Sequence, residues 1–261
     1  MNYSKLAETA KYSAIRSGKI ALAYFKSKYE IRDKSYGNPV TTADIAIDGA
    51  LKRFLMRENR GFGWLSEETT DNPKRFDKEF VWIVDPIDGT KEFIQGIPQF
   101  TICIGLVRNG KPIVGVIYNP VTKELYWSIK DQGAYLNSKR IFVSQTAKLK
   151  ESKVSISINE YKRGNYKTYE NEVQEIETLG STAYKIVKVA EGTHDLTVSL
   201  NQKSEWDICG AEAILQEAGG ILTLHNGDKI KYNQKQVVTE TGLYAGNSKL
   251  VKEIIELHKK D

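Results

Sequence analysis

The residues best placed to do chemistry are carboxylates at the ends of apolar runs. In Trp82-Ile83-Val84-Asp85-Pro86-Ile87-Asp88-Gly89-Thr90 an apolar strand carries Asp85 to its C-terminal end, the edge where ligands collect in α/β sheets. Asp88 follows three residues later, Pro86 restricts the backbone between them, and Gly89 permits a close backbone approach. Carboxylates a few ångströms apart raise each other's pKa, so the two cannot both stay ionised without a cation. A hard divalent ion resolves the conflict, and an all-oxygen ligand set suits Mg2+. The plainer alternative is a strand–turn–helix in which Asp-Pro and Asp-Gly only shape the turn. The Asp-x-x-Asp spacing argues against the Asp-x-Asp of phosphatases with an aspartyl nucleophile. It also argues against an EF-hand, which needs acids at alternate positions.

Further acids stand at comparable places. Gly63-Trp64-Leu65-Ser66-Glu67-Glu68 sets Glu67 and Glu68 just beyond an apolar stretch, where a solvated acidic turn would also explain them. Pro39-Val40-Thr41-Thr42-Ala43-Asp44 puts Asp44 in the first turn of a helix, where its charge already complements the macrodipole. Trp206-Asp207 opens another helix, and Asp207 there also reads as a capping residue. Each acid has a plain explanation; their joint arrangement is harder to dismiss. No P-loop, helix-opening G-x-G-x-x-G or G-x-S-x-G elbow occurs. His194, His225 and His258 are too scattered for a zinc site.

The elements that must position these acids follow from periodicity. Residues 4–29 read as a helix with Leu6, Ala10, Ser13, Ser17, Ala21 and Tyr24 on one face. A second helix runs from Thr42 to about Asn59, capped by Thr41 or Thr42. Residues 80–85 form a short buried strand. Segments 99–107, 112–118 and 124–129 form a meander with turns at Asn109-Gly110 and Asn119-Pro120. From about residue 152 the pattern alternates: strand 153–158, helix 181–192, strand 195–200, helix 206–218 closed by Gly219-Gly220, strand 221–225 and helix 247–259. This order predicts two α/β lobes in one body: 1–145 with most candidate ligands, and 146–261 with Asp207 and the specificity elements.

Composition narrows the partners. With 38 Lys+Arg against 33 Asp+Glu, the net charge of +5 is too small and dispersed for a nucleic-acid polymer, and mildly favours small anions. Cys103 and Cys209 cannot build a disulfide framework, which fits a reducing, cytoplasmic compartment. No membrane segment is expected, because the apolar run Phe80–Val84 is far short of the ~20 residues needed to span lipid. The N-terminus has no signal-peptide core.

The segments NPVTTAD (38–44), SEE (66–68), WIVDPIDGT (82–90) and WDICGAEAILQEAGG (206–220), in this order, resemble the inositol monophosphatase superfamily of lithium-sensitive, Mg2+-dependent phosphatases. The stretch GVIYNPVTKELYWSIKDQGAYLN is similar to the family's meander, so the resemblance spans nearly the whole chain. It implies a layered α-β-α-β-α sandwich of the inositol monophosphatase/fructose-1,6-bisphosphatase type, and often a homodimer. By position, Glu67, Asp85 and the Ile87 carbonyl would hold one Mg2+; Asp85, Asp88 and Asp207 a second; and Asp44 a third, directly or through water. Thr90, oriented by Asp44, would position the attacking water together with Glu67, and Gly89 and Thr90 would offer N–H groups to the phosphate.

Lys91-Glu92-Phe93 and Gly180-Ser181-Thr182 before Lys185 are similar to the CysQ-type 3′(2′),5′-bisphosphate nucleotidase branch. That branch would act on adenosine 3′,5′-bisphosphate, with Gly180, Ser181 and Lys185 holding the nucleotide alongside Asp88, Gly89, Thr90 and Asp207. Ser181 as a simple helix cap and Lys185 as a solvated lysine explain those two equally well. GIPQFTICIGLV fits a sugar phosphatase as readily, so inositol-1-monophosphatase or fructose-1,6-bisphosphatase is the alternative.

Overall fold

A computed structural model describes residues 1–35 and 38–259. Helix α1 (Tyr3–Tyr24) buries a stripe of mostly small residues, among them Ala7, Ala10, Ala14 and Gly18, so it lies close on a sheet. It ends five residues before the expected 29. Phe25 leaves the helical conformation and packs its ring on Phe93 and Phe100, with centroids 5.5 and 5.1 Å apart, a tertiary contact that overrides local periodicity. A hairpin of β1 (Ile31–Ser35) and β2 (Asn38–Thr41) leads into α2 (Thr42–Met56), with Thr41 as N-cap. The helix stops short of the expected Asn59.

Next come β3 (Gly63–Ser66), β4 (Phe80–Asp88), α3 (Thr90–Ile94), β5 (Thr101–Arg108), β6 (Lys111–Asn119), β7 (Glu124–Ile129), β8 (Gly133–Leu136) and β9 (Lys139–Ile141). Strands β3 to β9 form one seven-stranded sheet in chain order, with β3 and β4 parallel and the other pairs antiparallel. The remaining elements are β10 (Lys153–Ser157), α4 (Ile158–Lys162), α5 (Lys167–Glu170), β11 (Glu175–Leu179), α6 (Thr182–Ala190), β12 (Leu196–Ser199), α7 (Glu205–Glu217), β13 (Ile221–Leu224), β14 (Leu243–Gly246) and α8 (Ser248–His258). Their strands make a second sheet in the order β11-β10-β12-β14-β13.

Helices α1 and α2 cover one face of the first sheet, α6 and α7 lie between the sheets, and α8 packs on the second. This is the expected α-β-α-β-α sandwich. Side-chain alternation along β4 serves both apolar layers: Trp82 and Val84 pack toward α1 and α2, Val81 and Ile83 toward α6 and α7. Helix α7 touches the sheet with its backbone. Gly105 and Gly115 are cross-strand partners. A Cβ on Gly115 would stand 2.1 Å from the Gly210 carbonyl oxygen, and one on Gly105 2.5 Å from Cys209 Sγ. Glycine is required there because a side chain would push α7, and Asp207 with it, off the sheet.

The expected strand 80–85 runs on to Asp88, and the expected strand 153–158 stops at Ser157, where α4 begins. Strands β1, β2, β3, β8, β9, β11 and β14 and the short helices α3, α4 and α5 are additions to the elements read from periodicity. No described helix is long and apolar enough to cross a membrane. Both cysteines are buried and free.

Candidate active site

Two residues three apart on a regular strand face opposite sides of the sheet. Asp85 and Asp88 escape that rule through a β-bulge. Asp85 pairs with Cys103 and Asp88 with Thr101, so three steps on β4 oppose two on β5. The extra residue turns both carboxylates toward the α6–α7 side. Both are buried, Asp85 to 2% exposure, and the Ile87 N–H donating at 2.9 Å is the one hydrogen bond among the described residues that reaches Asp85.

The parallel pairing of β3 with β4 sets Ser66 beside Val84, so Glu67 emerges next to Asp85. The following turn is tied to α2 by Asp48, which accepts from Ser66 Oγ at 2.5 Å and Thr69 Oγ1 at 2.6 Å. Asp44, one turn earlier on the same helix, closes a capping box with Thr41. Its Oδ2 accepts the Thr41 amide at 2.8 Å and hydroxyl at 2.6 Å, and its Oδ1 faces Thr90 Oγ1 at 3.3 Å. Thr90 Oγ1 is also 3.1 Å from the Ile87 carbonyl oxygen. Lys34 on β1 places its ammonium 2.8 Å from Glu67 and 2.5 Å from Glu68.

From the helix layer between the sheets, α7 contributes Asp207, whose Oδ2 accepts the Ser204 N–H at 3.0 Å. The capping explanation therefore holds for Asp44 and Asp207, yet each also belongs to the acid group. The start of α6 contributes Ser181, which donates to Asp88 Oδ2 at 2.5 Å. Lys185 is not the solvated lysine of the plainer reading: it is 4% exposed, with Nζ 2.7 Å from the Ser181 carbonyl. A cavity of about 310 Å³ collects Glu67, Asp85, Ile87, Asp88, Gly89, Thr90, Gly180, Ser181, Lys185 and Asp207 in its walls. Asp44 stands behind Thr90. Glu92 of the Lys91-Glu92-Phe93 stretch also lines it, as do Ser157 and Asn159, which no motif in the sequence points to, any more than to Lys34 and Asp48. Only Asp48 left a signal: it lies four residues after Asp44 on one helix face.

Burial, and then the charges of Glu67, Asp88, Asp207 and Asp44, hold the Asp85 carboxyl well above the usual aspartate range. Burial and the Asp88 and Glu67 charges push Asp207 up to about 8, and burial raises Asp44. Burial moves Glu68 up to about 7, although Lys34 pulls it the other way. Burial opposes the charge on Lys34, but Glu67 and Glu68 together more than compensate and its pKa rises. Among the described residues, no three His, Cys, Asp or Glu side chains already stand in ligating geometry. The donor set still fits a hard cation. It is all oxygen, its carboxylates repel one another in a buried place, and one lysine ammonium already shares Glu67 and Glu68.

The inositol monophosphatase family model matches residues 2–259. A fructose-1,6-bisphosphatase/inositol-1-monophosphatase of Aquifex aeolicus is 33% identical over 232 residues, 85% of this chain and 87% of its own. An inositol-1-monophosphatase of Mesorhizobium japonicum is 31% identical over 234 residues, covering 87% and 85%. Among solved structures, the extragenic suppressor protein suhB from Bartonella henselae superposes with a TM-score of 0.87 at 26% identity, over 97% of this chain and 98% of that one. With the acids, the layered fold and this match along almost its full length, the chain belongs to the inositol monophosphatase family of Mg2+-dependent phosphomonoesterases.

Proposed function

We propose that the chain hydrolyses phosphate monoesters of small polyols, with inositol 1-phosphate and fructose 1,6-bisphosphate as the first candidates. The observation that carries this reading is the convergence on one small polar cavity of Glu67 after β3, Asp85 and Asp88 at the end of β4, and Asp207 on α7. The names of the relatives above support these substrates over adenosine 3′,5′-bisphosphate, which Lys91-Glu92-Phe93 and Gly180-Ser181-Thr182 had favoured.

Glu67, Asp85, the Ile87 carbonyl, Asp88 and Asp207 would hold Mg2+, with Asp44 available to a third ion. Bound there, Mg2+ lowers the pKa of the attacking water and neutralises the departing oxygen. The chain's own residues do the rest. Thr90 Oγ1 donates toward Asp44 Oδ1 and keeps a lone pair to orient the water. The Glu67 carboxylate takes that water's proton. The Gly89 and Thr90 amides, at the start of α3, serve as donors to the phosphate. No covalent enzyme intermediate is needed.

A second reading, the bisphosphate nucleotidase, is favoured by Lys185. Burial lowers the pKa of its ammonium to about 8, and a second phosphate on the substrate would compensate a cation so placed. Phosphate release measured side by side with Mg2+ decides between them. The main reading expects kcat/KM for inositol 1-phosphate to exceed that for adenosine 3′,5′-bisphosphate by at least ~10-fold, or ~1.4 kcal/mol. The reverse ratio selects the nucleotidase, and no release from any of the three esters overturns both.

A further inference from the structure

Ser181 combines backbone strain with a fully committed side chain. It adopts φ 55° and ψ 131°, outside the left-handed helical well and toward conformations populated almost only by glycine. A serine hydroxyl has one proton and two lone pairs. Here the proton goes to Asp88 Oδ2 at 2.5 Å and one lone pair takes the Tyr184 N–H at 2.9 Å. Because the proton is used, the contact with Thr101 Oγ1 at 3.1 Å is one in which Thr101 donates. No capacity is left for a substrate.

The strained peptide is held from both sides. The Ser181 carbonyl accepts from Lys185 Nζ at 2.7 Å, and the Gly180 N–H donates to Gln99 Oε1 at 2.8 Å. The Ala183 N–H gives Asp88 Oδ2 a second donor at 2.6 Å. Asp88 Oδ1 receives no hydrogen bond from the described residues. One carboxylate oxygen is thus anchored to the start of α6, and the other is left for the cavity.

We propose that Ser181 is a positioning residue: it fixes which oxygen of Asp88 faces the cavity, and thereby serves cation binding rather than substrate recognition. The proposal rests on the phosphatase reading above. It also accounts for the strain, because in this backbone conformation the hydroxyl meets Asp88, Thr101 and the Tyr184 amide together, and these neighbours hold it there.

Two variants test this. Ser181→Gly removes the hydroxyl and tolerates the backbone, while Ser181→Ala removes the hydroxyl and keeps the strain. Calorimetric titration with Mg2+ alone should show affinity weakened by ~10-fold or more in both. At saturating Mg2+, KM for an ester that the wild type hydrolyses should change by less than ~2-fold, and the EDTA melting temperature of Ser181→Gly should stay within ~3 °C of wild type. Wild-type Mg2+ affinity in folded Ser181→Gly overturns the proposal. So does a raised KM with Mg2+ binding intact, which would make Ser181 a substrate contact. If the wild type itself neither binds Mg2+ nor releases phosphate, the phosphatase reading falls instead.

Discussion

Thr90 Oγ1 stands 3.3 Å from Asp44 Oδ1, joining the first turn of α3 to the first turn of α2. Asp44 cannot turn away, because its other oxygen holds both the amide and the hydroxyl of Thr41. Asp44→Asn keeps the shape and removes the charge. We expect kcat to fall by ~10²-fold or more and stability to change by no more than ~1 kcal/mol, since burial already disfavours the charged form. Steady-state kinetics and urea unfolding check this. A kcat within ~3-fold of wild type would detach Asp44 from the water-orienting step.

Lys34 competes with any cation for Glu67, since its ammonium already lies 2.8 Å from that carboxylate. Lys34→Met is expected to tighten Mg2+ binding by ~3- to 10-fold, through loss of a nearby positive charge. Calorimetric titration reads it directly. Weaker binding would mean that Lys34 holds Glu67 in its ligating position instead.

Asp207, pushed up to about 8, and Asp85, well above the aspartate range, hold protons in the folded state that the unfolded chain has already released. Their contribution to stability is present at low pH and is lost as pH climbs through their folded pKa values. Glu212, up to about 7 through burial, behaves alike but finishes earlier. Without metal, the melting temperature should therefore drop by ~2–4 °C between about pH 7 and about pH 8. Saturating Mg2+ should flatten that interval by compensating the carboxylates. Parallel slopes in EDTA and Mg2+ would contradict the charge coupling.

Gly115→Ala would place a methyl group 2.1 Å from the Gly210 carbonyl oxygen, a backbone atom that moves only if α7 moves. A loss of ~3 kcal/mol or more in urea unfolding is expected, with weakened Mg2+ binding because Asp207 rides on the same helix. An unchanged midpoint and an unchanged Mg2+ affinity would show that the sheet does not set the position of α7.

Much of the acid group was legible because strand ends and helix starts announce themselves. Val84 precedes Asp85, Thr41 precedes Asp44, and Trp206 precedes Asp207. What periodicity could not show was side-chain direction. An Asp-x-x-Asp pair faces one way only because of a bulge against Thr101 and Cys103, and that depends on the partner strand. Lys34 comes from a short hairpin without apolar alternation, and the burial of Lys185 is set by packing between two sheets. Periodicity carries helix α1 past Tyr24 because the Phe25 contacts that end it lie far off in sequence.

The central claim is that these acids meet around cations. Crystals soaked in Mn2+, an anomalous stand-in for Mg2+ that accepts the same oxygen ligands, test it most directly. Two or three anomalous peaks bounded by Glu67, Asp85, the Ile87 carbonyl, Asp88 and Asp207 are predicted. Metal-dependent phosphate release from a protein whose anomalous peaks lie elsewhere would contradict the account.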